Sequence, residues 1–106
     1  MMSKMNQTNN TFKEIAKEMV ALHDRKNADY GNAFGNTYQE FAKKSKEMAN
    51  GYAIGSIKNK VNRLVTLMSG QEAKVDESIE DSLIDLASYS LMTLAEIRKL
   101  NNHGTE

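Results

Sequence analysis

The sequence predicts an all-α protein, a compact bundle of about four helices, and three observations support this fold class. Apolar residues recur at helical spacing in four segments, and no segment shows the alternation of a half-buried strand. The 106 residues include no proline, an absence that long helices tolerate better than a turn-rich β-fold does. A chain of this length forms a single domain with a modest core, so we also expect oligomerisation to complete the bundle.

The first helix is predicted from Thr11 to about Asn27. Thr11 and Glu14 have the spacing of a capping box, in which each side chain accepts a hydrogen bond from a backbone N–H at the helix start. The polar residues 1–10 before this helix are expected to form a disordered lead. Residues 29–36 after it contain two glycines and two asparagines, which predict a structured turn.

A second capping box predicts the next helix. Thr37 and Glu40 have the same spacing, and the helix is expected to reach about Met48, where an Asn-Gly pair follows. The third helix is predicted over residues 54–69, and Gly70 is a suitable C-terminal stop because glycine adopts the left-handed conformation easily.

The fourth helix is the longest that the sequence predicts. Either Asp76 or Ser78 can cap it, and it is expected to reach about Leu100. Residues 101–106 are then a frayed tail, and residues 11–100 form a single helical domain.

This fourth helix carries a column of three carboxylates. Glu77, Asp81 and Asp85 follow one another at intervals of four residues and therefore share one side of the helix. The roughly opposite side consists of Ile79, Leu83, Leu86, Ser90, Leu94 and Ile97. Because the acid column continues into apolar residues, the helix is apolar on most sides in its C-terminal half. Such a helix is predicted to lie inside a bundle, where the acids line the interior at one end.

Two interpretations of the acid column stay open at this point. Like charges one turn apart repel, and burying them uncompensated is costly, so a divalent cation such as Mg²⁺ or Mn²⁺ would stabilise them. Alternatively, the column is a solvated acidic face, since acids near a helix N-terminus interact favourably with the macrodipole. This second interpretation explains Asp76, Glu77 and Glu80 but explains Asp85 poorly, because Asp85 lies two turns inside the helix.

Polar side chains in two places are candidates for ligand binding. The first group surrounds the predicted turn and consists of His23, Lys26, Asn27, Asp29 and Tyr30. The second group lies on the third helix and consists of Lys60, Asn62 and Arg63. A lysine can meet a phosphate, an asparagine can bind a base edge and a tyrosine can stack on a base. Each residue also has a structural interpretation, as a surface or core histidine, a turn cap, a packing tyrosine or a polar helix face.

The composition excludes several classes of protein. The chain contains no cysteine, so disulfides and thiolate zinc sites are excluded, and a reducing compartment is expected. The formal net charge is zero, which gives no electrostatic basis for stable nucleic-acid binding. No apolar run has the length of a membrane span, and the polar N-terminus is not expected to be a secretory signal. The expected location is the cytoplasm, with no membrane partner.

A family resemblance rests on two stretches. These are residues 23–34, HDRKNADYGNAF, and residues 75–89, VDESIEDSLIDLASY. Together they resemble the nucleotide modification associated domain 1 family, which is common in phages and bacteria and is grouped with the all-α, MazG-like nucleoside triphosphate pyrophosphatases. The resemblance covers roughly residues 12–100. It implies a helical bundle that binds Mg²⁺ (or Mn²⁺) and cleaves a (deoxy)nucleoside triphosphate to monophosphate and pyrophosphate.

The resemblance also implies roles for particular residues. The metal ligands carried over by position are Glu40, Glu77, Asp81 and Asp85, and we predict Glu40 and Asp81 as catalytic. The predicted substrate-binding residues are His23, Lys26, Asn27, Asp29, Tyr30, Lys60, Asn62 and Arg63. If the chain is encoded by a phage, its location is the host cytoplasm.

The sequence departs from the family pattern at two positions on the third helix and approximates it at one on the fourth. The family segment usually reads Arg-Leu-Ser-Asp-Lys-x-Asn-Arg, whereas Ser56 stands in place of the arginine and Asn59 in place of the aspartate. The MazG-like pattern of acids three residues apart is only approximated, because Ser82 lies three residues before Asp85. A lost arginine removes a phosphate or carboxylate partner, and a lost aspartate removes a metal ligand or its support.

The sequence therefore predicts a Mg²⁺-dependent nucleotide pyrophosphohydrolase that binds a small-molecule nucleotide and forms a homo-oligomer. Two alternatives remain. One is a nucleotide-binding or sequestering protein without turnover, which Ser56 and Asn59 favour. The other is a helical oligomerisation module.

Overall fold

The computed structural model describes residues 2–70 and 78–104, and these residues form four α-helices and no strand. The helices are α1 (Met2–Tyr30), α2 (Ala33–Ala42), α3 (Lys46–Met68) and α4 (Ile79–Gly104). The predicted all-α class is confirmed. None of the described helices is both long enough and apolar enough to cross a membrane.

The chain divides into two compact units, Met1–Gly31 and Asn32–Glu106. The first unit contains α1, and in the second unit α2, α3 and α4 pack against one another. The predicted extent of a single domain, residues 11–100, stays a prediction, and so does the expected oligomer.

Helix α1 begins at Met2, well before the predicted start at Thr11. Thr11 lies inside the helix, so the predicted capping box does not start it, and the expected disordered lead is helical from Met2. Neither glycine nor proline occurs in residues 2–10, so nothing there breaks the helix. Helix α1 ends at Tyr30 because Gly31 adopts a positive φ of 69°, and the N–H of Gly31 donates to the carbonyl of Asn27 at 2.8 Å.

Helix α2 starts earlier than predicted because Asn32 caps it. The side-chain oxygen of Asn32 accepts a hydrogen bond from the backbone N–H of Gly35 at 3.2 Å. The predicted cap at Thr37 is therefore wrong, and the turn between α1 and α2 is shorter than residues 29–36. Phe34, which was assigned to that turn, is a buried residue of α2.

Helix α3 also starts earlier than predicted. The hydroxyl of Ser45 accepts a hydrogen bond from the N–H of Met48 at 3.1 Å, so the helix begins at Lys46. Asn50 and Gly51, predicted to end the second helix, lie inside α3. A glycine inside a helix costs only about 1 kcal/mol, which the surrounding packing offsets. The stop at Gly70 is confirmed, since this glycine has a φ of +79° and follows the last residues of α3.

Ser78, one of the two predicted caps, caps the start of helix α4. The hydroxyl of Ser78 accepts a hydrogen bond from the N–H of Asp81 at 3.0 Å, whereas Asp76 lies outside the described residues. The helix continues to Gly104, past the predicted end at Leu100, and includes the first part of the predicted frayed tail.

The core of the second unit is small and aromatic. Its buried cluster consists of Phe34, Tyr38, Ala49 and Ala53, with Phe41, Tyr52 and Tyr89 among the residues packed against it. The ring of Phe34 stacks on Tyr52 at 5.4 Å and meets the edge of Tyr89 at 5.3 Å between centroids. Phe34 thus joins α2 to both longer helices, and it fixes the ring of Tyr89 next to the candidate site described below.

Candidate functional site

An ion pair between α3 and α4 lies at the centre of the candidate site. The Nζ of Lys60 is 3.3 Å from the Oδ2 of Asp85, and the two side chains are 22% and 17% exposed. The Lys60 ammonium also lies 5.2 Å from the centroid of the Tyr89 ring. Tyr89 comes one turn after Asp85 on α4 and is held by Phe34. The packing of the aromatic core therefore places both charges.

The half-buried position gives this pair energetic importance. An exposed ion pair stabilises a protein by about 1 kcal/mol or less, whereas removing one member of a buried pair costs about 3–5 kcal/mol. The contribution of the Lys60–Asp85 pair to stability is expected between these limits, because each side chain keeps some contact with solvent. The charge of Asp85 is thus offset by a lysine, and a small part of the Asp85 side chain remains in contact with solvent.

The other predicted acids are more exposed. Asp81 lies one turn before Asp85 and is exposed, so the expectation that it lines the interior is wrong. Its position beside the helix start, where Ser78 caps α4, leaves it outside the packed region. Glu40 on α2 has a 73% exposed side chain and pairs with Lys43 at 3.4 Å. Glu77 lies outside the described residues.

Within residues 2–70 and 78–104, no three histidine, aspartate or glutamate side chains form a group that could hold a metal ion. The predicted four-acid metal site includes Glu77 and therefore stays a prediction. Asp81 and Asp85 offer hard carboxylate oxygens one helical turn apart, and donors of this type suit Mg²⁺. Together with Glu40 on α2, these two residues form the described part of that donor set.

Ser82 lies between these two acids in sequence and is buried. Its side chain is 1% exposed, and its hydroxyl has no hydrogen-bond partner among the described residues. A buried hydroxyl without a partner is uncommon, because its desolvation is then uncompensated. The related MazG-like pattern has an acid at this position, three residues before Asp85. A serine fits the enclosed space without adding a buried charge.

Helix α3 contributes the other predicted phosphate-binding residues. Lys60 and Arg63 are both half-buried and lie three residues apart, so they share a side of the helix, whereas Asn62 is exposed. The two departures from the family pattern lie on the same helix. The hydroxyl of Ser56 donates to the carbonyl of Tyr52 at 3.0 Å, and Asn59 is exposed.

The remaining predicted binding residues lie on α1, in the first unit, and not around an extended turn. Asn27 Nδ2 is 3.1 Å from His23 Nε2, so the amide donates when the imidazole carries its proton on Nδ1. Lys26 and Asp29 are exposed. The side chain of Tyr30 lies outside the described part of the chain. The structure thus brings His23 and Asn27 together, and it pairs Lys60 with Asp85.

Comparison with known families identifies the group to which the chain belongs. The model of the nucleotide modification associated domain 1 family matches residues 26–97. The chain belongs to this family. No curated protein and no solved structure matches the chain significantly. The resemblance found in the sequence is therefore confirmed, and the matched span contains the Lys60–Asp85 pair and Tyr89.

This nucleotide modification associated domain also contains a polar network that the sequence analysis missed. The carboxylate of Glu96 is 5% exposed and accepts from Lys99 Nζ at 3.0 Å. It also accepts from the side-chain amide of Gln39 at 2.9 Å, which ties α2 to α4. The Glu96–Lys99 spacing of three residues was a visible signal on a helix, but the contact with Gln39 depends on packing between helices.

A buried tyrosine adjoins this network. The hydroxyl of Tyr38 donates to Asn50 Oδ1 at 2.7 Å. Burial raises the pKa of Tyr38 above its usual 10.0, and the nearby negative charge of Glu96 raises it further. The phenol therefore stays neutral and acts as a hydrogen-bond donor at any physiological pH.

Proposed function

We propose that this protein is a Mg²⁺-dependent nucleotide pyrophosphohydrolase. It would cleave a (deoxy)nucleoside triphosphate and release pyrophosphate and monophosphate. The observation that carries the proposal is the half-buried carboxylate of Asp85, which meets Lys60 across two helices at 3.3 Å in a family associated with nucleotide modification. In this arrangement the carboxylate of Asp85 can bind a metal ion, and the ammonium of Lys60 can bind a phosphate.

The proposed metal ligands begin with Asp81 and Asp85, and Glu77 and Glu40 complete the set that the sequence predicts. Their oxygen donors fit Mg²⁺ or Mn²⁺. When bound, such an ion would neutralise phosphate charge and lower the pKa of a bound water. Asp85 can serve both as a ligand and as the partner of Lys60, because a carboxylate has two oxygens and several lone pairs.

The chain's own residues supply the rest of the proposed chemistry. Lys60 and Arg63 offset the charge of the triphosphate, and Asn62 adds a hydrogen bond. One carboxylate accepts the proton of the attacking water as the general base, and Glu40 and Asp81 are the two residues proposed for this role. Both are exposed, so a solvent proton exchanges freely with them.

We further propose that α1 recognises the nucleoside. Asn27 binds the base edge and Tyr30 stacks on the base, while Lys26 meets a phosphate. The side chains of His23 and Asp29 support these contacts. The hydrogen bond between His23 and Asn27 fixes the orientation of the amide, which such recognition needs.

The proposal is tested by measuring pyrophosphate release from a panel of ribo- and deoxynucleoside triphosphates, with Mg²⁺ and with chelator. We expect chelator-sensitive release from at least one nucleotide. Asp81→Asn should lower its rate by about 100-fold or more, since even residues that only support metal ligands contribute 10- to 100-fold. Glu47→Gln is the matched control, because Glu47 is an exposed acid in the first turn of α3. No release from any nucleotide, or an equal rate in Asp81→Asn, would rule out this function.

A second candidate function is a nucleotide-binding or sequestering protein without turnover. Asn59 and Ser56 favour it, because both replace charged residues of the family pattern and Ser56 instead donates to the backbone of Tyr52. Calorimetry would then show nucleotide binding in the absence of pyrophosphate release. Asn59→Asp should produce measurable hydrolysis if a lost carboxylate is the cause, whereas an inactive Asn59→Asp variant would remove that explanation.

A further inference from the structure

The Lys60–Asp85 ion pair joins two groups that the proposed function assigns to different ligands. The carboxylate is assigned to a metal ion and the ammonium to a phosphate, yet Lys60 Nζ is only 3.3 Å from Asp85 Oδ2. A Mg²⁺–oxygen distance is about 2.1 Å, so an ion on this oxygen would lie at most about 5.5 Å from the ammonium. The charges of the two ligands therefore act on both residues.

We infer, on the basis of the proposed function, that this ion pair opposes binding of either ligand alone and favours binding of both together. The ammonium of Lys60 then regulates the metal affinity of Asp85, and the carboxylate of Asp85 regulates the phosphate affinity of Lys60. The ligand that the pair selects is a triphosphate already complexed with a divalent cation.

The ammonium of Lys60 opposes a metal ion that binds alone. The carboxylate has enough lone pairs to contact both cations, but the cations repel each other. The Lys60 and Asp85 side chains are only 22% and 17% exposed, so water and salt screen this repulsion less than at a fully exposed site. The Tyr89 ring, with its centroid 5.2 Å from Lys60 Nζ, holds the ammonium close to the carboxylate. The metal affinity of Asp85 is therefore lowered by its own partner.

The carboxylate of Asp85 opposes a triphosphate that binds without a metal ion. A phosphate within hydrogen-bond distance of the Lys60 ammonium lies close to the carboxylate, and the two anions repel each other. If the ammonium moves toward the phosphate, the carboxylate loses a close opposite charge at a position that is only 17% exposed. Removing one member of a largely buried ion pair is destabilising, because the remaining charge is incompletely solvated.

Both obstacles are removed when the metal ion and the triphosphate bind together. The carboxylate then has the metal ion as its opposite charge, and the ammonium has the phosphate. Each ligand therefore raises the affinity for the other by the same factor, as thermodynamic linkage requires. The ion pair couples the two binding events through charges that the structure places next to each other.

The first test measures Mn²⁺ binding in the absence of nucleotide, from the free-ion signal in electron paramagnetic resonance. Lys60→Met removes the opposing ammonium and keeps the apolar stem, so it should bind Mn²⁺ about tenfold more tightly than the original protein. The same variant should bind the Mn²⁺ complex of a non-hydrolysable triphosphate analogue more weakly, because it lacks the phosphate partner. Loss of a merely structural contact would weaken both kinds of binding.

Two control variants separate the charge of Lys60 from other effects. Lys60→Arg keeps a cation beside the carboxylate and should leave the Mn²⁺ affinity close to that of the original protein. Lys58→Met removes an exposed ammonium from the same helix and should also leave the Mn²⁺ affinity unchanged. Far-UV circular dichroism checks that each variant keeps its helices.

The reciprocal test uses Asp85→Asn and the triphosphate analogue in the presence of chelator. The amide carries no negative charge, so calorimetry should show about tenfold tighter binding of the metal-free analogue than in the original protein. The same variant should bind Mn²⁺ alone more weakly, because a metal ligand is lost. Glu47→Gln is the matched control, since Glu47 is an exposed acid on α3, and it should change neither affinity.

The Mn²⁺ affinities test the coupling and pyrophosphate release tests the proposed function, so the two can fail separately. Equal or weaker Mn²⁺ binding by Lys60→Met, or no Mn²⁺ binding by any of these chains, would overturn the inference even if pyrophosphate is released. An Asp85→Asn variant that binds the metal-free analogue no more tightly than the original protein would overturn it as well. Tighter Mn²⁺ binding by Lys60→Met without pyrophosphate release would support the coupling and leave the second candidate function.

Discussion

Two carboxylates of α4 lie toward the neighbouring helices, and their surroundings differ. Glu96 is almost fully buried, and its two oxygens accept hydrogen bonds from Gln39 and Lys99. Asp85 is more exposed and meets Lys60 at 3.3 Å, with the face of Tyr89 behind the lysine. The Glu96 site is closed and holds α2 against α4. The Asp85 side chain keeps 17% of its surface exposed.

This comparison gives a criterion that distinguishes a structural carboxylate from a functional one on the same helix. Burial alone does not do so, because Glu96 is the more buried of the two. The distinguishing property is whether the carboxylate can exchange partners without unfolding the helix pair. We therefore expect substitutions at Glu96 to change stability and substitutions at Asp85 to change activity.

The largest effect is expected for Asp85→Asn. Losing this charge should lower the rate of pyrophosphate release per folded molecule by about 100-fold or more, as expected when a metal ligand is lost. Steady-state rates, corrected for the folded fraction, measure the effect. Equal rates in the variant and the original protein would mean that Asp85 serves only the ion pair.

The next largest effect is expected for Lys60→Met, which keeps the apolar stem and removes the ammonium. The KM for the triphosphate should rise about tenfold, the equivalent of ~1.4 kcal/mol of phosphate binding. Lys58→Met provides the control, because Lys58 is exposed on the same helix. Similar KM values for the two variants would remove Lys60 from the proposed phosphate site.

A smaller effect, on stability alone, is expected for Glu96→Gln. One of the two donors, Gln39 or Lys99, then faces an amide N–H₂ and loses its acceptor, so the free energy of unfolding should fall by about 1–3 kcal/mol. Urea denaturation measures it, with Glu47→Gln as the exposed comparison. A loss of activity without a loss of stability would reverse the roles assigned to the two acids.

The smallest effect is expected for Tyr38→Phe, which removes the hydrogen bond to Asn50 and should cost about 0.5–1.5 kcal/mol at neutral pH. The pKa of Tyr38 is raised in the folded protein, so its contribution is fully present below the unfolded pKa of about 10 and is lost as the pH rises through the folded pKa. Urea denaturation at pH values above 10 should show a steeper loss of stability in the original protein than in Tyr38→Phe. Parallel curves would contradict this.

Part of the fold could be predicted from local sequence. The all-α class, the stop at Gly70 and the Ser78 cap follow from periodicity and from local turn chemistry. The starts of α2 and α3 were missed because Asn32 and Ser45 cap without an acid three residues later. The capping-box rule therefore pointed to Thr37 instead.

The site could be predicted only in part, because it depends on how the helices pack. The sequence singled out both Asp85 and Lys60, but not their contact, since nothing local aligns α3 with α4. Asp81 was expected to line the interior because all three acids of the column were assumed to be equally buried.

The most direct test of the proposed site is paramagnetic broadening by Mn²⁺ in ¹H–¹⁵N spectra, recorded with a non-hydrolysable triphosphate analogue. Substoichiometric Mn²⁺ should broaden the amide signals of residues 81–85 and of Lys60 first, and should leave those around Glu96 sharp. Uniform broadening, or broadening centred on Glu96, would contradict a metal-dependent nucleotide site at Asp85.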